Sequence, residues 1–125
     1  MTLKQSAIGL VTALVFSTSA TAQSGLASYY GGGEKLNRHT SNGEVFRPHG
    51  LTCAHRSLPI GTRLLVRYKG RQVVCRINDR GPASWTGRSL DLSFGSARLL
   101  GTVGQGVANV EFTVLPTYHR LFAGY

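Results

Sequence analysis

Carboxylates are scarce in this chain, five against 14 lysines and arginines in 125 residues, and the formal net charge is +9. Blocks of basic residues are also missing. The eleven arginines are spread singly, which argues against nucleic acid and for a cell-envelope polymer or membrane surface as the anionic partner. A basic surface that only aids solubility is the plainer alternative. Only Cys53 and Cys75 supply thiols, and no second ligand pair accompanies Cys53-x-His55 at metal spacing, so no metal and no cofactor is expected. Repeats, long linkers and low-complexity segments are absent, which leaves room for one small domain.

A membrane-spanning run is lacking too. Lys4, the apolar stretch Ala7 to Phe16 and the small-x-small site Ala20-Thr21-Ala22 read as a signal peptide over residues 1–22. The apolar stretch is shorter than the ~20 residues needed to cross a bilayer. No cysteine follows the cleavage site to carry a lipid. The expectation is a monomer without a lipid anchor, exported to the periplasm, the cell envelope or beyond. In an exported chain the two cysteines fit a disulfide, worth roughly 3 kcal/mol on the chain-entropy model.

What is present is mostly β pattern. Gly25 to Gly31 reads as a strand in which Tyr29 and Tyr30 face opposite ways, as a sugar platform or as ordinary strand aromatics. Asn42-Gly43 signals a tight turn, followed at once by Glu44. Arg63 to Tyr68 and Arg71 to Asn78 pair as a hairpin across Lys69-Gly70. Alternation puts Val73, Cys75, Ile77 and Asp79 on one face of the second arm, and Arg76, Asn78 and Arg80 on the other. Trp85, the only tryptophan, lies on the next loop, where it can stack on a sugar or pack over the core. Asp91 is expected to bond backbone at a strand-to-helix corner. Ser93 caps a helix from Phe94 to Leu100 ended by Gly101. Val107 to Leu115 is a last strand with Ala108, Val110, Phe112 and Val114 inward and Glu111 outward. The pattern is a small closed β-barrel with one short helix.

The stretch Arg76-Ile77-Asn78-Asp79-Arg80-Gly81-Pro82 organises the rest. It places a scarce acid where a strand meets a loop, fixed by one and exposed by the other. Partial desolvation at the end of an apolar row favours the neutral acid, and the neighbouring arginines oppose it.

Five ordered stretches resemble one family: Ala27-Ser28-Tyr29-Tyr30-Gly31, Thr40-Ser41-Asn42-Gly43-Glu44, Leu51 to Pro59, Ile77-Asn78-Asp79-Arg80-Gly81-Pro82, and Asp91-Leu92-Ser93. They resemble the RlpA-like (rare lipoprotein A) lytic transglycosylases, a six-stranded double-psi β-barrel with one or two short helices. The resemblance implies a domain over residues 23–115 and a short tail over 116–125. It implies cleavage of peptidoglycan glycan strands between N-acetylmuramic acid and N-acetylglucosamine, with 1,6-anhydro ends and a preference for peptide-free strands. By the same resemblance Glu44, His55 and Asp79 are the catalytic residues, and Tyr29, Tyr30, Asn78, Arg80 and Trp85 are expected to bind substrate. Tyr29 stands where such proteins often have another aromatic. Members often carry an acylated cysteine and a C-terminal SPOR domain; this sequence shows neither, so septal localisation is not implied. Two alternatives remain open at this point: a non-catalytic, expansin-like wall-binding module, and a hydrolase using Glu44 and Asp79 as an acid–base pair.

Overall fold

Alternation builds the barrel outward from its longest strand. In β4 (Arg71–Asp79) Val73, Cys75 and Ile77 are buried at every second position, while Gln72 and Val74 are exposed. The computed structural model describes residues 21–33 and 39–117, so nearly all of the expected signal peptide and most of the tail lie outside the described residues. The remaining strands are β1 (Gln23–Tyr30), β2 (Thr52–Ala54), β3 (Arg63–Tyr68), β5 (Arg88–Ser93) and β6 (Ala108–Val114). They close into one barrel in the order β1-β5-β2-β4-β3-β6. The β1–β5 and β2–β4 pairs are parallel and the other neighbours antiparallel.

Local chemistry sets the joints. The β3–β4 hairpin turns on Lys69 and Gly70, whose φ values of 46° and 77° suit a mirror-image turn between twisted strands. The α-helix α1 (Phe94–Leu100) begins where Ser93 Oγ accepts from Ser96 N at 3.1 Å. It ends at Gly101, φ 87°, whose N–H reaches Ala97 O at 2.8 Å. The helix buries Ala97 and Leu100. Its Gly95 lies so near the loop before β2 that a Cβ would stand 2.5 Å from His49 O. Among the described residues there are also two short 3-10 turns, Ser84–Thr86 and Val103–Gln105.

Leu64, Val66, Ile77, Leu90, Leu92 and Phe112 fill the interior, all at most 2% exposed. Ala108, Val110 and Phe112 supply the inward row of β6, with Val114 only partly covered and Glu111 outside. The barrel is thus the one expected, and its helix bounds agree with the sequence. Asn78 departs from the expectation. It was expected on the outward face with Arg76 and Arg80, yet it is 2% exposed. The β2–β4 register explains this: Cys53 lies opposite Ile77 and Ala54 opposite Asp79, so Asn78 is the extra residue of a bulge.

A disulfide joins Cys53 on β2 to Cys75 on β4, both fully buried, with Cα atoms 5.8 Å apart. It staples the two strands whose ends carry His55 and Asp79. Replacing both cysteines with alanine is expected to lower unfolding stability by about 2–4 kcal/mol, read from urea denaturation of the two proteins side by side.

Candidate active site

Residues 39–45 form a miniature hairpin that leans on the end of β4. His39 bridges Val45, Thr40 N donates to Glu44 O at 2.9 Å, and Gly43 N donates to Thr40 O at 2.9 Å. Asn42 Oδ1 accepts from Thr40 Oγ1 at 2.6 Å and from Glu44 N at 3.1 Å, an Asx-type turn that suits Asn-Gly. Gly43 supplies the left-handed residue, φ 88°. The result is that Ser41 and Glu44 project toward the barrel from one rigid turn.

Glu44 Oε1 accepts from Arg76 Nη2 at 2.8 Å and from Asn78 Nδ2 at 2.6 Å. These two bonds, led by Arg76, hold its carboxyl below the usual glutamate range. Glu44 is therefore an anion at neutral pH and does not start as a proton donor. Asn78 Oδ1 is buried and takes no bond among the described residues. Asn78 thus supports Glu44 from a nearly buried position.

Asp79 is held through one oxygen. Its Oδ1 accepts from Ser41 N at 2.9 Å, Ser41 Oγ at 2.5 Å and Arg80 N at 2.8 Å. Among the described residues no hydrogen bond uses its Oδ2. The side chain is half-buried, so that oxygen is oriented by its sister atom and left available.

Tyr30 packs its ring on Phe46, centroids 5.0 Å apart, and buries its hydroxyl without a partner among the described residues. Burial raises its pKa, and Asp79 and then Asp91 push the same way, which puts the phenol near both carboxylates. Thr52 Oγ1 lies beside it and acts slightly in the opposite sense, but the contact falls short of a hydrogen bond and both hydroxyls stay unpaired. Tyr29 takes the other face. Its hydroxyl donates to Val103 O at 3.2 Å and its ring meets Phe94 at 6.0 Å, against the core. Asp91 was expected to bond backbone at a corner, but among the described residues its carboxylate takes no backbone bond. It sits within β5 and accepts from Ser28 Oγ, because parallel pairing sets Ser28 opposite it, and Arg88 Nη1 lies 3.9 Å away.

His55 is joined to Asp79 through the main chain, its N–H reaching Asp79 O at 3.3 Å. Its ring turns to its own loop: Nδ1 accepts from Ser57 N at 3.1 Å and Leu58 N at 3.0 Å, which places the ring proton on Nε2. Burial, then the charges of Arg56 and Arg80, lower its pKa. Neither Glu44 nor Asp79 acts on that ring. Arg80 is likewise committed, donating from Nη1 to His55 O at 3.1 Å and Leu58 O at 2.5 Å. Arg56 pins the next loop through Pro82 O, at 3.3 Å, and Arg88 O. On that pinned loop Trp85 stands 87% exposed and does not pack over the core. Leaving an indole in water forgoes on the order of 4 kcal/mol of burial.

The structure therefore brings Glu44, Asp79, Asn78 and Tyr30 together, sets His55 and Arg80 just behind, and separates Tyr29. Sequence reasoning missed Ser41, which fixes Asp79, and Arg76, which holds Glu44. Ser41 stood inside one of the quoted motifs and could have been singled out there. A cavity of about 430 Å³ opens beside Glu44, lined also by Val45, Arg47, Leu51, Thr52, Arg76 and Asn78. A larger groove, about 890 Å³, lies at the opposite end of β4 around the Lys69-Gly70 turn, and none of the motif residues lines it. Among the described residues no three His, Cys, Asp or Glu side chains gather as a metal would need.

Residues 22–112 match the family model described as "Lytic transglycolase". The chain is 54% identical over 94 residues to "Probable endolytic peptidoglycan transglycosylase RlpA" of Nostoc sp., covering 73% of this chain and 25% of that protein. It is 43% identical over 96 residues to "Endolytic peptidoglycan transglycosylase RlpA" of Vibrio cholerae, covering 74% and 35%. The chain thus spans about a quarter to a third of the length of these relatives. Among solved structures, it is similar to an apo expansin of Clavibacter michiganensis, TM-score 0.61 at 22% identity, covering 77% of this chain and 51% of that one. A Streptomyces papain inhibitor has the same TM-score at 18% identity, covering 77% and 96%. These structural likenesses carry the fold, and with the family match they make it a double-psi barrel.

The lowered pKa of His55 has a consequence for stability. Its neutral ring contributes fully above the unfolded value of about 6.5, and the contribution is lost as pH falls through the folded value, where protonation breaks the two bonds to Nδ1. Thermal melts between about pH 7 and pH 5 are expected to fall less steeply in His55→Gln, whose Oε1 accepts without titrating.

Proposed function

Because the chain belongs to the lytic transglycolase family, we propose that it cleaves peptidoglycan glycan strands between N-acetylmuramic acid and N-acetylglucosamine, leaving 1,6-anhydro ends, and favours peptide-free strands. The observation that carries this reading is the contrast between two neighbouring carboxyl groups. Glu44 is kept anionic by Arg76 and Asn78, while Asp79 is anchored through Oδ1 with Oδ2 left for a substrate.

Asp79 donates its proton to the glycosidic oxygen as the C1–O bond breaks. The C6 hydroxyl of the muramic acid then attacks C1, and Asp79 takes the hydroxyl proton as the anhydro ring closes. One carboxyl group serves as acid and then base because no water enters as nucleophile. A hydrolase would need its second carboxylate to activate water. Glu44, fixed and negative, stabilises positive charge developing at C1. The His55 ring can donate only from Nε2, which suits orienting a sugar oxygen, and exposed Trp85 offers a stacking face. The protein acts on the wall, outside the cytoplasm, as a monomer.

Incubating the protein and its Asp79→Asn variant with peptide-free strands and intact sacculi, followed by mass spectrometry, tests this. Anhydro-ended products are expected from the unaltered protein and to drop at least ~100-fold in the variant, the usual scale for losing a general acid–base group. Reducing ends without the anhydro mass would mean hydrolysis, and binding without products would mean a wall-binding module. Ser41→Ala is expected to lower kcat with little change in KM, since Ser41 acts by orienting Asp79.

A further inference from the structure

We propose that the cavity beside Glu44 is a carboxylate subsite, in which Arg47 binds the 3-O-lactyl carboxylate of a muramic acid residue. The proposal rests on the transglycosylase reading above and adds to it the group by which the strand is recognised.

The charges lining the cavity do not cancel. Arg76 is engaged by Glu44 at 2.8 Å, so that pair is neutral as a unit. Arg47 is left over. Its side chain is exposed and makes no hydrogen bond or ion pair among the described residues, and it lines the same space of about 430 Å³. An unpaired guanidinium in a concave site presents a planar fork suited to a carboxylate. Beside it stand two apolar side chains held in solvent, Val45 at 45% exposure and Leu51 at 42%. The subsite therefore fits an acid on a short branched aliphatic stem. A lactyl ether is such a group, with one methyl, one methine and one carboxylate. N-acetylglucosamine has no counterpart. In a strand that bears stem peptides the lactyl carboxyl is consumed in an amide and its charge is gone. A single arginine thus separates bare muramic acid from both.

The test compares the unaltered protein, Arg47→Gln and Arg47→Lys on peptide-free strands, and on the same strands after carbodiimide coupling of methylamine to the lactyl carboxylates. Kinetics supply kcat and KM. Calorimetry in an Asp79→Asn background supplies Kd without turnover. Arg47→Gln is expected to raise KM and Kd roughly fivefold to tenfold on untreated strands, the scale of a partly exposed charge-assisted contact, with kcat within about twofold. Arg47→Lys should retain part of the affinity. Amidated strands should bind the unaltered protein as weakly as untreated strands bind Arg47→Gln, with no further loss when both changes are combined. An unchanged Kd in Arg47→Gln, or losses from variant and amidation that multiply, would overturn the subsite. Absence of cleavage by the unaltered protein would instead count against the transglycosylase reading, and the Kd comparison would still decide the subsite.

Discussion

The bond from Asn78 Nδ2 to Glu44 Oε1, 2.6 Å, ties a buried amide in a barrel strand to a short hairpin with almost no core of its own. A hydrogen bond to a charged group contributes about 1.5–3 kcal/mol net, more than the half-exposed Arg76–Glu44 ion pair beside it would give alone. The tie forms part of a closed circuit. Asn78 holds Glu44, the Asn42-Gly43 turn holds Ser41 relative to Glu44, Ser41 holds Asp79, and Asp79 follows Asn78 in the chain. Loosening any link frees both acids together.

That circuit depends on a break in the strand's regularity. Strict alternation would send Asn78 and Asp79 to opposite faces of β4. The bulge against β2 turns both toward the same hairpin, and the disulfide one turn of the pattern earlier keeps β2 and β4 together at that point. Beneath them Tyr30 and Thr52 bury hydroxyls that have no partner among the described residues, and the charges of Asp79 and Asp91 add to burial in raising the Tyr30 pKa. Two acids of one site are thus given different surroundings by residues from four separate stretches.

The arginine surplus has a second meaning once the contacts are known. Arg56, Arg71 and Arg80 donate to main-chain carbonyls, and Arg76 to Glu44. These side chains satisfy carbonyl groups in the loops at His55, Leu58 and Pro82, at the end of α1 and at the start of β5. Part of the positive charge therefore serves the fold, whereas Arg47, with no such bond among the described residues, lines the cavity beside Glu44.

Much of the barrel was legible in the sequence, because strand alternation, the Lys69-Gly70 turn and the Ser93 and Gly101 caps are local rules that act within a few residues. Asp79 was legible as an acid at a strand end, and Glu44 and His55 only through motif order. The burial of Asn78 was not, since it follows from a register between two strands more than twenty residues apart. Nor was the bond from Ser28 to Asp91, which the parallel pairing of β1 with β5 decides, nor the partners that Tyr29 and Tyr30 meet on the opposite faces alternation gives them. Local propensity determined which segments became strands, turns and helix. Only closure of the barrel decided which of their side chains meet, because a contact between distant stretches depends on where the whole chain has packed and not on any residue's own preference.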